Sequence, residues 1–197
     1  MTLSTEYLKE CLIYAPETGA FTWLERPQRH FKNKRAWAAW NARYSGKATG
    51  YMEKNCVTLS IDNKRYLAHR IAWLYVHGRW PAHFIDHKNR NPRDNRIENL
   101  REANSFENAR NRSGVRRNTV SGVKGVTFVG FSKPWRAKIA GPNGDEELGL
   151  YETIDQAKAA YDAAAVKYFG DFAPEETKAA VLALAANPLA QEKPNDH

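Results

Sequence analysis

Three runs in the middle of the chain hold residue types suited to chemistry on a phosphodiester. They are Ile85-Asp86-His87-Lys88-Asn89-Arg90-Asn91, Asp94-Asn95-Arg96-Ile97-Glu98-Asn99-Leu100 and Ser105-Phe106-Glu107-Asn108-Ala109-Arg110-Asn111. The first reads as a strand ending in Asp-His, the second as a polar turn rich in Asn, and the third as a short helix offering Asn. Strand, turn and helix of this kind could converge on one point. Phosphodiester hydrolysis needs a hard cation to neutralise the phosphate and the leaving oxygen, and a neutral imidazole to take a proton from water near pH 7. Aspartate and amide oxygens are hard ligands, better suited to Mg²⁺ or Mn²⁺ than to zinc. Each residue also has a plainer reading. Asp86 can start a turn by bonding backbone amides, Asn108 can be a first-turn helix residue after a Ser105 cap, and Asn99 can be a loop residue. The adjacency of His87 to Asp86, with the downstream pattern, favours the chemical reading. Asn91 and Asn95 read as turn residues.

The elements that must position these residues start at residues 5–14, where Leu8, Cys11 and Leu12 have helical spacing. Ala20 to Leu24 reads as a short strand after a Glu17-Thr18-Gly19 turn. Residues 26–47 are basic and aromatic, and Trp37 and Trp40 there serve either packing or contact with a nucleic acid. The runs CVTLSI and KRYLAH form two strands joined at Asp62-Asn63, a hairpin signal. His69 to His77 follows as a helix with Ile71, Leu74 and Tyr75 on one face and Gly78 at its end, and Pro81 enforces the break. His69 reads as a helix cap or a phosphate contact, not as a catalytic group. Residues 111–121 read as a basic linker whose Arg112, Arg116 and Arg117 could track a phosphate backbone.

The chain has 197 residues, enough for one domain or two small ones, and its 42% apolar content supports a packed core. The formal charge of +8 favours a polyanionic partner. That charge is unevenly spread, with net values of +4 over residues 1–60, +7 over 61–120 and −3 over 121–197. Chemistry on nucleic acid therefore belongs in the middle third. Cys11 and Cys56 lie far apart with no C-x-x-C, which excludes a cysteine zinc site and argues against a disulfide framework. No apolar run is long enough to span a bilayer and no signal peptide is visible, so the expected compartment is a reducing cytoplasm with no membrane partner.

The segment from about residue 55 to 112 resembles the phage-type HNH endonucleases of the ββα-metal fold, which include intron-encoded homing nucleases. HRIAWLYVHGRWP, IDHKNRN, DNRIENL and the S-x-x-N-x-x-N run occur in order, which is more specific than any one of them alone. The resemblance implies that His87 is the general base activating water, and that Asp86 and Asn108 bind the metal. Asn108 stands where many family members have a final histidine, which leaves the metal preference open between Mg²⁺ and Mn²⁺. Asn99 is the central asparagine, which pins the hairpin and orients the base. The implied reaction is nicking or double-strand cleavage of DNA, leaving 5′-phosphate and 3′-hydroxyl ends. Near such a centre some of Arg70, Arg90, Arg93, Arg96, Arg101, Arg110 and Arg112 must hold phosphates, and Arg70, Arg110 and Arg112 are the candidates.

Residues 122–172 have another pattern. GVKGVTFV, KPWRAKIA and EELGLYE read as three strands, with turns at Gly130-Phe131-Ser132 and Pro142-Asn143-Gly144. A helix from Ile154 to Phe169 follows, started by a Thr153/Gln156 capping box and ended by Gly170. Its buried face is expected to hold Ile154, Ala157, Tyr161, Ala164 or Ala165, and Tyr168. Lys124, Lys133, Arg136 and Lys138 lie on the first two strands and the acids begin at Asp145, so one sheet face should be positive and the back negative. This segment resembles the plant Apetala/ethylene-response-factor DNA-binding domain, in GVKGV, WRAKI, LGLY and the helix AKAAYDAAAVKYFGDFA. The resemblance implies a three-stranded sheet entering the major groove, with Lys124, Thr127, Trp135, Arg136 and Lys138 as candidate contacts. Fewer arginines on the first strand than in the plant pattern imply weak base specificity.

The expected fold is α+β: a ββα-metal nuclease domain followed by a small three-stranded antiparallel sheet packed on one helix. The expected organisation is a basic N-terminal region at 1–54, the nuclease domain at 55–112, a linker at 113–121, the sheet module at 122–172 and a C-terminal helix and tail at 173–197. The expected partner is double-stranded DNA in a bacterial host cell. A DNA-binding regulator with an inactive nuclease centre is the rival reading, opposed by the intact Asp86, His87, Asn99 and Asn108 set. An RNA-binding or structural protein is the third.

Overall fold

Local sequence signals set most of the elements in the computed structural model, which describes residues 3–111, 120–130, 132–141 and 144–186. The chain divides into two units, residues 1–105 and 106–197.

The first unit opens with α1 (Thr5–Cys11), capped by the Ser4 hydroxyl accepting from the Tyr7 amide. The helix stops at Cys11, three residues short of the expected end, because β1 (Leu12–Ala15) follows directly. Leu12 and Tyr14 are buried while Ile13 is exposed, a period of two that lets β1 pair antiparallel with β2 (Ala20–Trp23). Next come α2 (Lys34–Tyr44), then β3 (Ala48–Thr49), which adds to β2 as the edge of this sheet. Trp37 and Trp40 are packing residues here: the Trp37 indole donates to the Arg26 carbonyl, and Trp40 packs against Trp23, Phe31 and Tyr44.

A second sheet runs in the order β4 (Tyr51–Glu53), β5 (Cys56–Ile61) and β6 (Lys64–Leu67). Asp62 and Asn63 link β5 to β6 with φ of 50° and 61°, the two positive values a type I′ hairpin turn requires. α3 (Ala68–His77) follows and ends at Gly78. It buries Ala68, Ile71, Ala72, Trp73 and Leu74, where the sequence face had Ile71, Leu74 and Tyr75. The chain then forms a two-stranded ribbon from β7 (Phe84–His87) and β8 (Leu100–Ala103).

One apolar core, from Leu3 through Leu59, Ile71 and Leu74 to Ile85 and Leu100, joins the N-terminal elements to α3 and the ribbon. Arg26 stitches its edge. Its guanidinium, 3% exposed, bonds Asp62 at 2.7 Å and the Tyr7 hydroxyl at 2.7 Å, and lies over the Phe31 and Trp40 rings. Burial of that charge is tolerable because every side of it meets a carboxylate, a hydroxyl or a ring. Both cysteines are free thiols, and burial pushes the Cys11 thiol up to about 11, so it behaves as core.

The second unit begins within α4 (Ser105–Asn111) and contains β9 (Val126–Phe128), β10 (Trp135–Gly141), β11 (Gly144–Tyr151), α5 (Ile154–Phe169) and α6 (Glu175–Ala186). The strands form an antiparallel sheet with β10 central. α5 has the expected limits, and its capping box is present in both directions. Ala157, Tyr161, Asp162, Ala165 and Phe169 are buried, and the half-buried Tyr168 packs on the same core while its hydroxyl reaches the Glu146 carboxylate. Gly125 makes the close approach of strand to helix possible, since a Cβ there would stand 2.2 Å from the Tyr161 ring. Among the described residues, no helix is long and apolar enough to cross a membrane.

Gly19 and Gly46 share a φ of +73°, but a Cβ on Gly19 would stand 2.6 Å from Asn95 C and Arg96 N, while one on Gly46 would meet nothing. Gly46→Ala should cost only the left-handed backbone penalty, about 1–2 kcal/mol. Gly19→Ala should cost about 1–3 kcal/mol more through overlap with the Asn95–Arg96 backbone. Denaturant unfolding of the two variants checks this, and equal losses would count against the close packing of that turn.

Candidate active site

The ribbon register sets the centre of the first unit. Asp86 pairs across the ribbon with Arg101, and His87 with Leu100. Arg101 sends Nε and Nη2 to Asp86 Oδ2 at 2.9 and 2.6 Å, and both side chains are nearly buried. A buried carboxylate without a counter-charge would be costly, and this cation supplies one.

His87 ends β7 and is buried. Burial is the main cause that pushes its imidazole below the ordinary histidine range, which keeps the ring neutral at pH 7. Its Nε2 lies 3.4 Å from Asn95 Oδ1. His69, in the first turn of α3, meets the His87 ring edge-on, with 5.1 Å between centroids and an angle of 88°. The N-cap of α3 is Leu67, so His69 is not the cap. Burial pushes its imidazole down to about 4, and its buried Nδ1 has no hydrogen-bond partner among the described residues.

The loop between β7 and β8 is built from its own side chains. Asn99, 6% exposed, accepts the Asn89 amide on Oδ1 at 3.0 Å and donates from Nδ2 to the Asp94 carbonyl at 2.8 Å. Its own carbonyl takes the Lys88 amide. One asparagine thus ties both arms of the loop together. Asn89 and Asn91 each accept an amide two residues on, as Asx turns do. Asp94 grips Arg96 through both oxygens at 2.9 and 2.8 Å, and that pairing holds its carboxyl down to about 2. The loop is therefore a stiff platform despite its length.

Aspartate is a ligand type that hard divalent cations use, and Asp86 is the carboxylate at this centre, with its Oδ2 held by Arg101. Asp86 offers a buried carboxylate next to a neutral imidazole, and magnesium sites commonly use one or two carboxylates completed by water and substrate phosphate. Among the described residues there is no group of three or more His, Cys, Asp or Glu that could hold a metal ion. Asn108 lies on α4, in the second unit.

The basic residues have definite partners. Arg70 donates to the His83 and Pro81 carbonyls and lies over Trp80, which makes it a clamp on the chain entering β7. Arg110 lies 4.9 Å over the Phe169 ring, and its carbonyl accepts the Lys124 ammonium at 3.1 Å. Arg112, Arg116 and Arg117 lie outside the described residues, as does most of the 113–121 linker.

In the second unit Ala137 and Ile139 face α5, so Arg136 and Lys138 point to the open face of the sheet. Thr127 pairs across to Arg136 and shares that face. Trp135 lies on the helix side, packed with Leu148, Tyr151 and Ile154 and edge-on to Phe128. The open face is also less positive than its sequence suggests. Glu147 is the cross-strand partner of Lys138, and Asp145 takes its ammonium at 2.9 Å. A bulge between Ala137 and Lys138 brings Glu147 there by displacing Leu148 from the pairing.

Asn95, His69 and Arg101 meet at the centre and Tyr14 reaches it from β1; the sequence had offered Asn95 as a turn residue, His69 as a cap or phosphate contact and Arg101 among the basic residues, and it gave Tyr14 no role. His69 opens HRIAWLYVH, whose apolar residues signal burial but not partners, whereas Asn95 sits in the polar stretch KNRNPRDNR, which signals neither. A family model described as HNH endonuclease matches residues 66–110, a span that includes α3, β7, the braced loop and β8. Among curated proteins and among solved structures, none matches this chain. The likeness to HNH endonucleases over residues 66–110 thus falls on the span that holds the buried His87 beside Asp86, and it supports a nuclease.

Proposed function

We propose that this protein is a homing-type, metal-dependent endonuclease that hydrolyses double-stranded DNA, with His87 as general base. The observation that carries the reading is the pairing of a buried, neutral His87 with the adjacent Asp86 on a braced ribbon. Asp86 would hold the divalent cation, Mg²⁺ or in its place Mn²⁺; the resemblance implies Asn108 as an amide ligand. When bound, the cation neutralises the scissile phosphate and the charge developing on the leaving oxygen.

His87 takes a proton from a water as the water oxygen attacks phosphorus. The P–O3′ bond breaks, O3′ leaves and is protonated, and the products carry 5′-phosphate and 3′-hydroxyl ends. A neutral imidazole is needed for the first transfer, and desolvation of His87 supports it. Asn99 keeps the loop from collapsing on the base, a positioning role consistent with its three bonds to the loop backbone.

The second unit, which resembles the Apetala/ethylene-response-factor domain in sequence, is the module that holds DNA. Arg136, Lys138 and Thr127 are its contacts through the open sheet face. Trp135 supports the sheet from the helix side, and Lys124, bonded to the Arg110 carbonyl, supports α4. Glu147 beside Lys138 limits the phosphate attraction of this face.

Cleavage of plasmid and of the gene's own flanking DNA should need Mg²⁺ or Mn²⁺ and stop in excess EDTA; undiminished cutting in EDTA would refute the metal. His87→Ala should slow single-turnover cleavage by about 10²–10⁴-fold, with duplex affinity within a few-fold of the parent. A wild-type rate would remove His87 from the mechanism. Arg136→Ala with Lys138→Ala should weaken duplex binding and reduce the log–log salt slope by about one unit for each phosphate that the face no longer holds. Unchanged slope and affinity across a salt series would mean that the open face does not touch DNA.

A further inference from the structure

We propose that Asn95 is a positioning residue that sets the tautomer of His87, and that the hairpin of β1 and β2 holds it in place. The proposal rests on His87 acting as the base. It adds a segment of the chain that the endonuclease family match, at residues 66–110, does not include.

The orientation of the Asn95 amide follows from its two contacts. Nδ2 donates to the Arg93 carbonyl at 3.3 Å, and a carbonyl can only accept. Oδ1 is therefore the atom that faces His87 Nε2 at 3.4 Å. An amide oxygen also only accepts, so Nε2 must carry the hydrogen. In a neutral imidazole the lone pair then sits on Nδ1, which becomes the nitrogen that takes a proton. Long hydrogen bonds are common at such centres before substrate arrives and tighten when it does.

Asn95 is 3% exposed, and its backbone is gripped from the N-terminal hairpin. The Tyr14 hydroxyl donates to the Asn95 carbonyl at 2.7 Å across 81 residues of sequence. The Ile97 amide donates to the Pro16 carbonyl at 3.1 Å. Gly19 brings its backbone against Asn95 and Arg96 so closely that no side chain fits between them. Tyr14 itself is buried against Phe21 and Tyr75, so the clamp is anchored in the core. The edge-on His69 ring restricts rotation of the same imidazole. Together they make the turn at 16–19 a support for the base.

The test uses the full chain with ¹⁵N-labelled histidine, comparing the parent with Asn95→Leu, Asn95→Asp and Tyr14→Phe. In the parent, the His87 ring nitrogens should give the Nε2–H signature in NMR. Asn95→Leu keeps the shape but has no acceptor; the Nε2–H preference should disappear, and single-turnover cleavage should fall about 10–100-fold, as for other residues that orient a catalytic histidine. DNA affinity should not change. Asn95→Asp restores an acceptor and should recover most of the rate, which a merely structural role for the side chain would not give. Tyr14→Phe removes only the hydroxyl that bonds the Asn95 carbonyl, leaves the Asn95 and His87 side chains unchanged and should still lower the rate several-fold at constant affinity; it also serves if Asn95→Leu fails to fold. An Nδ1–H signature in the parent, or wild-type rates in both Asn95→Leu and Tyr14→Phe, would overturn the proposal. Those results are distinct from a failure of the base assignment, which His87→Ala reads directly by cutting at the parent rate.

Discussion

Burying an imidazole is costly for its protonated form, and the first unit uses that cost. With His87 removed from water at the end of β7, the neutral ring is the stable form near neutral pH, the state a base must have before it can act. The same burial makes the polar groups on the ribbon and its loop depend on partners within the protein. Asp86, one residue earlier, is met by Arg101 from the facing strand. His87 Nε2 is met by Asn95, and the loop that carries Asn95 is tied at both arms by Asn99. A polar centre held in this way is rigid, because loosening any member leaves another buried group without its bond.

That rigidity depends on residues far from the centre in sequence. The core runs without interruption from Leu3 to Leu100, so α1, the β1–β2 hairpin and α3 are packed into the same body as the ribbon. Arg26 ties the N-terminal helix to the β5–β6 turn through Tyr7 and Asp62, and Arg70 holds the chain entering β7. The second unit is assembled on other principles. Its sheet and helix meet through small residues, with Gly125, Ala137, Ala157 and Ala165 allowing the strand backbone to approach α5. A bulge in β11 then decides which acids share a face with Arg136 and Lys138.

Much of the secondary structure was legible because short-range chemistry dictates it. Asp62-Asn63 accepts two positive φ values, Thr153 and Gln156 close a capping box, and Gly78 and Gly170 end helices, so these boundaries fall where the residues require them. The misread end of α1 has an equally physical cause. Leu8, Cys11 and Leu12 fit a helical face, but Leu12 to Ala15 gains more from pairing with β2, a partner that lies beyond the window in which periodicity can be read. The mixed charge of the second unit's open face was hidden for the same reason, since a one-residue bulge reassigns faces without leaving a mark in composition.

By itself the sequence determined the chemistry that the centre can offer: an Asp-His pair at a strand end, an asparagine-rich loop and a basic surrounding third, all set by residue type and close spacing. Only the tertiary structure decided which groups surround the base. Arg101 meets Asp86 because of strand register, His69 meets His87 because α3 packs beside the ribbon, and Tyr14 reaches Asn95 from 81 residues away. Such contacts depend on the burial and register of whole elements, and a polar residue's local sequence does not say which distant partner its burial will supply.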